Sequence, residues 1–279
     1  MGTVQIDGST PKITVGNATA EDATILFDGN AQDFYIALDD SADDLVIGLG
    51  STIGTTPIIS LTEAGAVTMK NVGTGDDNPM VLTLQTSETD MAADDVIGKI
   101  SFQAPDEGTG TDAVLVSGAI QAVAEGDHSS SSNATRLEFM TGASEAATTK
   151  MSVSSGGDVK FNSGFGSVTT VFGCRAWANI NQTSTQAIKG SGGVSSITDT
   201  GVGATDVNFS TNMPDGNYCT SMSPGGSLLS TANQQFPVAI GNDDREAVDK
   251  GVIFSRQCDN DGDTFAAADS AQISIAFFR

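Results

Sequence analysis

The chain has 279 residues, with 12 Lys+Arg against 35 Asp+Glu for a formal net charge of -23, aromatic residues at 6% and charged residues at only 17%. Phosphate recognition needs clustered Lys and Arg, so this balance argues against a nucleic-acid partner and equally against anionic membranes. Thin apolar content spread over short segments argues against an ordinary globular enzyme. It favours modules that complete their cores by repetition or by association with identical chains, so an oligomer is expected.

The opening MGTVQIDGSTPKITV has neither a basic n-region nor an apolar h-region, so no secretory signal is expected. No apolar run reaches the roughly 18 residues of a membrane-spanning helix. From residue 1 to 70 the pattern is a ladder of short strands. Val4 and Ile6, Ile13 and Val15, Ile25 and Phe27, Ile36 and Leu38, Leu45 with Ile47 and Leu49, Ile59 and Leu61, and Val67 and Met69 each alternate with polar neighbours. Period two predicts one buried and one wet face. VGTGDDNP, ending at Pro79, is Gly, Asp and Pro rich and reads as a boundary between modules.

Further strands are expected at Val81–Leu84, Ile97–Phe102, Ala113–Ala124, Leu137–Met140, Met151–Val153 and Val159–Phe161, with the polar loops PDEGTGTD and EGDHSSSSNAT on the surface. The three regions are therefore 1–70, 71–165 and 166–279. The last opens on CRAWANINQTSTQAIKGSGGVSSITDTGVGATDVNFSTNMPDGNY, residues 174–218, which carries the only Trp and one of two Tyr. More strands follow at Phe236–Ile240, Gly251–Gln257 and Ala271–Arg279. Ile273, Ile275 and Phe277 alternate with Ser274, Ala276 and Phe278, so this final strand has two fairly apolar faces and belongs mid-sheet or at a subunit interface. No sustained heptad pattern is present, so a coiled coil is not the expected oligomerisation device. Cys174, Cys219 and Cys258 have no CxxC spacing and are expected as small buried apolar residues.

Catalytic signatures are missing. His128 is the only His and sits in GDHSSSS, a surface-turn composition, and there is no GxSxG, HExxH or GxxxxGK[ST]. A pair of carboxylates at glycosidase separation would arise by chance among this many Asp and Glu. Asp259-Asn260-Asp261-Gly262-Asp263 begins like a calcium loop, but Thr264 and Ser270 stand where an EF-hand needs Gly and Glu. A looser Ca2+ site on Asp259, Asp261 and Asp263, or on Asp39, Asp40, Asp43 and Asp44, competes with hydrated turns that blunt strand edges. Arg175 with Trp177 forms a candidate recognition patch, although a single Trp inside an alternating strand is more often a core or interface anchor. Recognition is also expected in the loops 211–217, 221–227 and 241–250, because loops on a rigid β scaffold carry it. Asp215, Asn217 and Tyr218, at the end of the first loop, complete the candidate binding set.

Within residues 174–218, an RAW-type strand, the turn segment GSGGVSSITDTG and the strand VNFSTNMPDGNY follow in the order of a C-terminal module in bacteriophage tail fibres. ILFDGNAQDFYIALDDSADDLVIGLGSTIGTTPIISLTEAGAV resembles a recurring shaft segment of fibre proteins, particularly those of marine phages. The order VIGKISFQAPDE, GAIQAVAEG and NATRLEFMTGASEAATTKMSVSSGGDV is similar to the strand-rich segment before the tip of many such fibres. Because the chain runs on through FNSGFGS into the CRAW module, the self-cleavage of fibres ending in a chaperone is not implied.

The resemblance implies an all-β, elongated homotrimeric fibre of short antiparallel strands with a C-terminal β-sandwich-like tip module. It implies a virion location, tail or adaptor proteins as partners, and non-enzymatic binding of a host cell-surface glycan or protein. The alternatives it leaves are a capsid-borne head fibre or decoration protein, and a polysaccharide depolymerase.

Overall fold

A computed structural model describes residues 12–104, 110–164, 166–224, 233–238, 247–259 and 265–279. These residues are all-β, arranged in four antiparallel sheets, and their only helical turn is a 3-10 turn at Asp112–Val114. The chain divides into two units, Met1–Ser87 and Glu88–Arg279.

In the first unit, β1 (Ala23–Phe27), β2 (Phe34–Asp39), β3 (Asp44–Leu49), β4 (Pro57–Leu61) and β5 (Val67–Met69) form a five-stranded meander in chain order. Tight polar turns drive it: Asp43, at φ 56, takes the left-handed conformation between β2 and β3 that Asp tolerates better than most residues. Directly opposed residues share a face, and the register lines up Ile25, Ile36, Ile47, Ile59 and Met69 across all five strands. Leu38, Leu45, Leu61 and Val67 form a parallel row beside them, and Phe27 and Phe34 pair at one end.

The strand reading holds, but the face that the single chain buries is the other one. Phe27 is 55% exposed and Val67 59%, and most of the apolar row is similarly open. The opposite face carries the small core of Tyr35, Ala37 and Val46, with Ile53 of the 50–56 loop packed against it. That loop is held by backbone bonds from Leu49 to Thr56 (3.1 Å) and from Gly50 to Asp33 (2.9 Å). Expected strands at Ile13–Val15 and Val81–Leu84 do not form, and these apolar residues are exposed with no partner strand among the described residues. Val4 and Ile6 lie outside the described residues.

The second unit begins with a six-stranded meander: β6 (Val96–Gln103), β7 (Val116–Ala124), β8 (Thr135–Thr141), β9 (Thr148–Val153), β10 (Val159–Phe161) and β11 (Thr169–Thr170). Its register aligns Ile100, Ile120, Phe139, Met151 and Phe161 on one face, flanked by Leu137, Val153 and Val159. Here too the apolar face is open, with Phe102 57% and Phe161 45% exposed. The reverse face buries Ala119 and Val123 together with Glu138 and Ser152. Glu138 accepts from Arg136 Nε (2.7 Å), Gln121 Nε2 (2.8 Å) and Thr149 Oγ1 (2.8 Å), and Arg136 also pairs with Asp94 (2.8 Å). Burial raises the Glu138 carboxyl, but these donors outweigh it and hold the group below the usual carboxylate range.

The C-terminal strands form a two-sheet sandwich. They are β12 (Cys174–Asn181), β13 (Ala187–Gly192), β14 (Val194–Gly201), β15 (Ala204–Phe209), β16 (Cys219–Pro224), β17 (Asn233–Val238), β18 (Lys250–Asp259), β19 (Phe265–Ala267) and β20 (Ile273–Phe278). One sheet has the order β13-β12-β20-β16 and the other β14-β15-β18-β17, with β19 against β18. The chain crosses between sheets at Gly193, where φ is +68° and a Cβ would stand 2.4 Å from the Arg175 carbonyl oxygen, so only glycine fits. Ala176, Ala178, Ile180, Ile273, Ile275 and Phe277 from one sheet meet Val207, Phe209 and Ile253 from the other. Fully burying each large side chain contributes about 1.5–3 kcal/mol. Phe209, Tyr218 and Phe277 pack edge to face in a triangle, with centroids 4.9 to 5.7 Å apart.

At one end of this core Gln182 ties both sheets together. Its Nε2 donates to Thr205 Oγ1 (2.9 Å), and its Oε1 accepts from Ser255 Oγ (2.6 Å) and from the Ser270 backbone (3.1 Å). Cys174 and Cys219 are exposed rather than buried. Both lie opposite Phe278 in the register, on the outward side of a strand whose inward residue is Phe277.

Candidate functional site

Strand β12 alternates strictly: Ala176, Ala178 and Ile180 point into the sandwich, so Trp177 and Asn179 point out. Trp177 is therefore a surface residue, 47% exposed, rather than a core anchor. Its indole is laid along β13. A Cβ on Gly192 would stand 2.5 Å from Nε1, so the ring occupies the space that this absent side chain leaves, while a Cβ on Gly190 would only touch Cη2 at 3.7 Å.

Across β20 and β16 the same outward face is small and polar. Trp177 is opposed by Ala276 and then Ser221, and Asn179 by Ser274 and then Ser223. These six residues line a shallow groove of about 270 Å3. Asn179 Nδ2 reaches Ser274 Oγ at 3.5 Å, and its buried Oδ1 has no hydrogen-bond partner among the described residues.

Arg175 is turned elsewhere. It borders a cleft of about 510 Å3 whose walls include Phe172, Pro214 and Arg279. Asp215 is engaged there: its carboxylate pairs with the Arg279 guanidinium and accepts the Asn217 backbone N–H at 2.8 Å. The Asn217 N–H acts most strongly on its pKa, burial opposes it next, and the Arg279 guanidinium adds to the Asn217 bond to leave the group below the usual carboxylate range. Asn217 is exposed, and its backbone closes this turn. Tyr218 is a core residue at 9% exposure, with its hydroxyl donating to the Lys250 carbonyl at 2.7 Å, so it supports the site from within.

The structure thus gathers Arg175 and the Asp215 turn at one cleft, sets Trp177 on a separate groove, and withdraws Tyr218 into the core. Asn179 and Ser274 were not singled out in the sequence, and Ser221 and Ser223, expected in a recognition loop at 221–227, stand on strand β16 instead. Their signal was the alternation of small hydroxyl residues with Met222, Ile273 and Ile275, which marks a bare outer face.

Asp261, Asp263 and segments 225–227 and 241–246 lie outside the described residues, as does the side chain of Asp259. Among the described residues no three His, Cys, Asp or Glu side chains converge as metal ligands. In the other acidic run, Asp39 is nearly buried and its Oδ1 accepts from Ser41 Oγ at 2.7 Å. No protein-family model matches the sequence, and no curated protein matches it. Fold and surface together define a modular all-β protein with open apolar sheet faces and a sandwich that carries outward-facing polar grooves.

Proposed function

We propose that this chain is a virion structural protein, a phage tail fibre that assembles as a homotrimer and attaches to the host cell surface by non-covalent, multivalent contacts. The observation that carries the reading is the row Ile25, Ile36, Ile47, Ile59 and Met69, which runs the full width of a sheet with Ile25, Ile36 and Met69 exposed and Ile47 and Ile59 half-buried. Exposed patches beyond a few hundred Å2 mark interaction surfaces. The second meander repeats the pattern with Ile100, Ile120, Phe139, Met151 and Phe161. Identical chains set around one axis bury such faces together and leave the opposite faces outward. Three copies is the number that the resemblance to fibre shafts implies.

In this reading the first unit attaches to the particle and extends the shaft, and the sandwich lies distally. Binding rests on shape and hydrogen bonds repeated over several copies, which raises avidity by roughly two to four orders of magnitude over one site. Tail or adaptor proteins hold the fibre, and a surface glycan or protein of the host is its target. Immunogold labelling of intact particles with antibodies to the sandwich tests the assignment. Label on the tail is expected, and label confined to the head would replace it with a capsid-borne fibre.

A further inference from the structure

From the groove beside Trp177 we infer a binding site for a neutral saccharide, a deepening that rests on the fibre reading above. The site is a shelf three strands wide and two outward residues long, about 10 Å by 7 Å by ordinary sheet spacings. Trp177 supplies one broad apolar surface at its edge. Ser221, Ser274 and Asn179 supply hydroxyl and amide groups spaced across the shelf, Ser223 already makes an interaction of its own, and Ala276 keeps the middle low. An aromatic face beside a small array of polar groups is what a pyranose ring requires, since it has C–H-lined faces and a rim of hydroxyls. The indole Nε1–H donates to no described residue, and Asn179 Oδ1, itself almost without exposed surface at the floor of the shelf, has no donor among the described residues.

Charge selects the ligand. None of the groove's lining residues is charged, so an acidic sugar finds no counter-ion there, in a chain whose net charge of -23 already repels it. Size and composition separate this face from one that meets another copy of the chain. Stable protein interfaces take about 800 Å2 from each partner, far more than the shelf presents. Where this chain carries faces suited to self-association they are continuous rows of Ile, Leu, Phe and Met, whereas the shelf has a single large apolar side chain. The glycine at 192 adds a positioning role: it lets the indole lie down along β13 instead of standing clear of the sheet.

The test uses the full chain. An array of neutral and uronic or sialylated oligosaccharides is probed first. The best neutral binder is then titrated against the fluorescence of Trp177, the only tryptophan. Saturable change with the neutral sugar is expected. Trp177→Ala, read by calorimetry, and Ser221→Val should each weaken binding about tenfold or more, with native mass unchanged. Val202→Ala, at an exposed position away from the shelf, should bind as the parent does. Retention of acidic sugars only, undiminished binding by Trp177→Ala, or a change in oligomeric mass on either shelf substitution would each overturn the site. A trimer that binds no neutral sugar removes this inference and leaves the fibre reading standing, whereas a monomeric parent removes the reading itself.

Discussion

Ile36 of β2 and Ile47 of β3 oppose each other directly, on the side of their sheet that nothing in the chain's small Tyr35 core covers. Alternation in β2 sends Tyr35 and Ala37 into that core and Phe34, Ile36 and Leu38 out. An aspartate at position 36 is harmless to a solvated face and severe in a closed interface, where an unpaired charge costs about 3 kcal/mol or more. Ile36→Asp should therefore dissociate the assembly with little loss of strand signal in circular dichroism. An unchanged sedimentation coefficient would mean that the face is not buried between copies.

Glu138 sets an acid limit for the second sheet. Its folded pKa is depressed, so its contribution is complete above the ordinary carboxylate value and is lost as pH falls through the lowered one. Wild-type melting temperature should drop between about pH 5 and pH 3 by more than that of Glu138→Gln. At pH 7 the substitution should cost about 1.5–3 kcal/mol, the worth of charged hydrogen bonds in a nearly buried site. Parallel pH curves for the two proteins would remove Glu138 from the account.

Gln182→Leu tests the network that joins the sandwich sheets. Thr205 loses a donor and the Ser270 backbone loses its acceptor, in a region with almost no access to water. The loss should be about 3 kcal/mol in denaturant titration. A change under half of that would indicate that water enters and repairs the network.

Gly251 and Phe277 should be coupled. A Cβ on Gly251 would stand 2.1 Å from Phe277 Cε1, so Gly251→Ala forces the ring to move at about 1–3 kcal/mol. Phe277→Leu alone opens a cavity, and the double variant should be more stable than the sum of the two losses predicts. Additive losses would show that the ring and the glycine do not share the space.

Strand existence was legible in the sequence because period two and turn residues report local chemistry, whereas the sandwich was an expectation that came with the resemblance to fibre tips. The doubly apolar strand Ile273–Phe278 does lie centrally, between β12 and β16. What alternation leaves open is which face the single chain covers: Ile25, Ile36 and Ile47 look like a core in sequence, yet the core of their sheet, Tyr35, Ala37 and Val46, lies on the opposite face. Trp177 was ambiguous for a related reason. Its outward direction follows only once Ala176 and Ala178 are seen to face inward, and small residues can fill either side of a strand. Tyr218 sits at the end of a loop, and only the edge-to-face contacts with Phe209 and Phe277, distant in sequence, draw it into the core.

The central claim is that the open apolar faces are closed by identical chains. Analytical ultracentrifugation of the intact protein at neutral pH and physiological salt tests it most directly. The account predicts a single species at three times the 28.4 kDa chain mass. A stably folded species at the mass of one chain would contradict it.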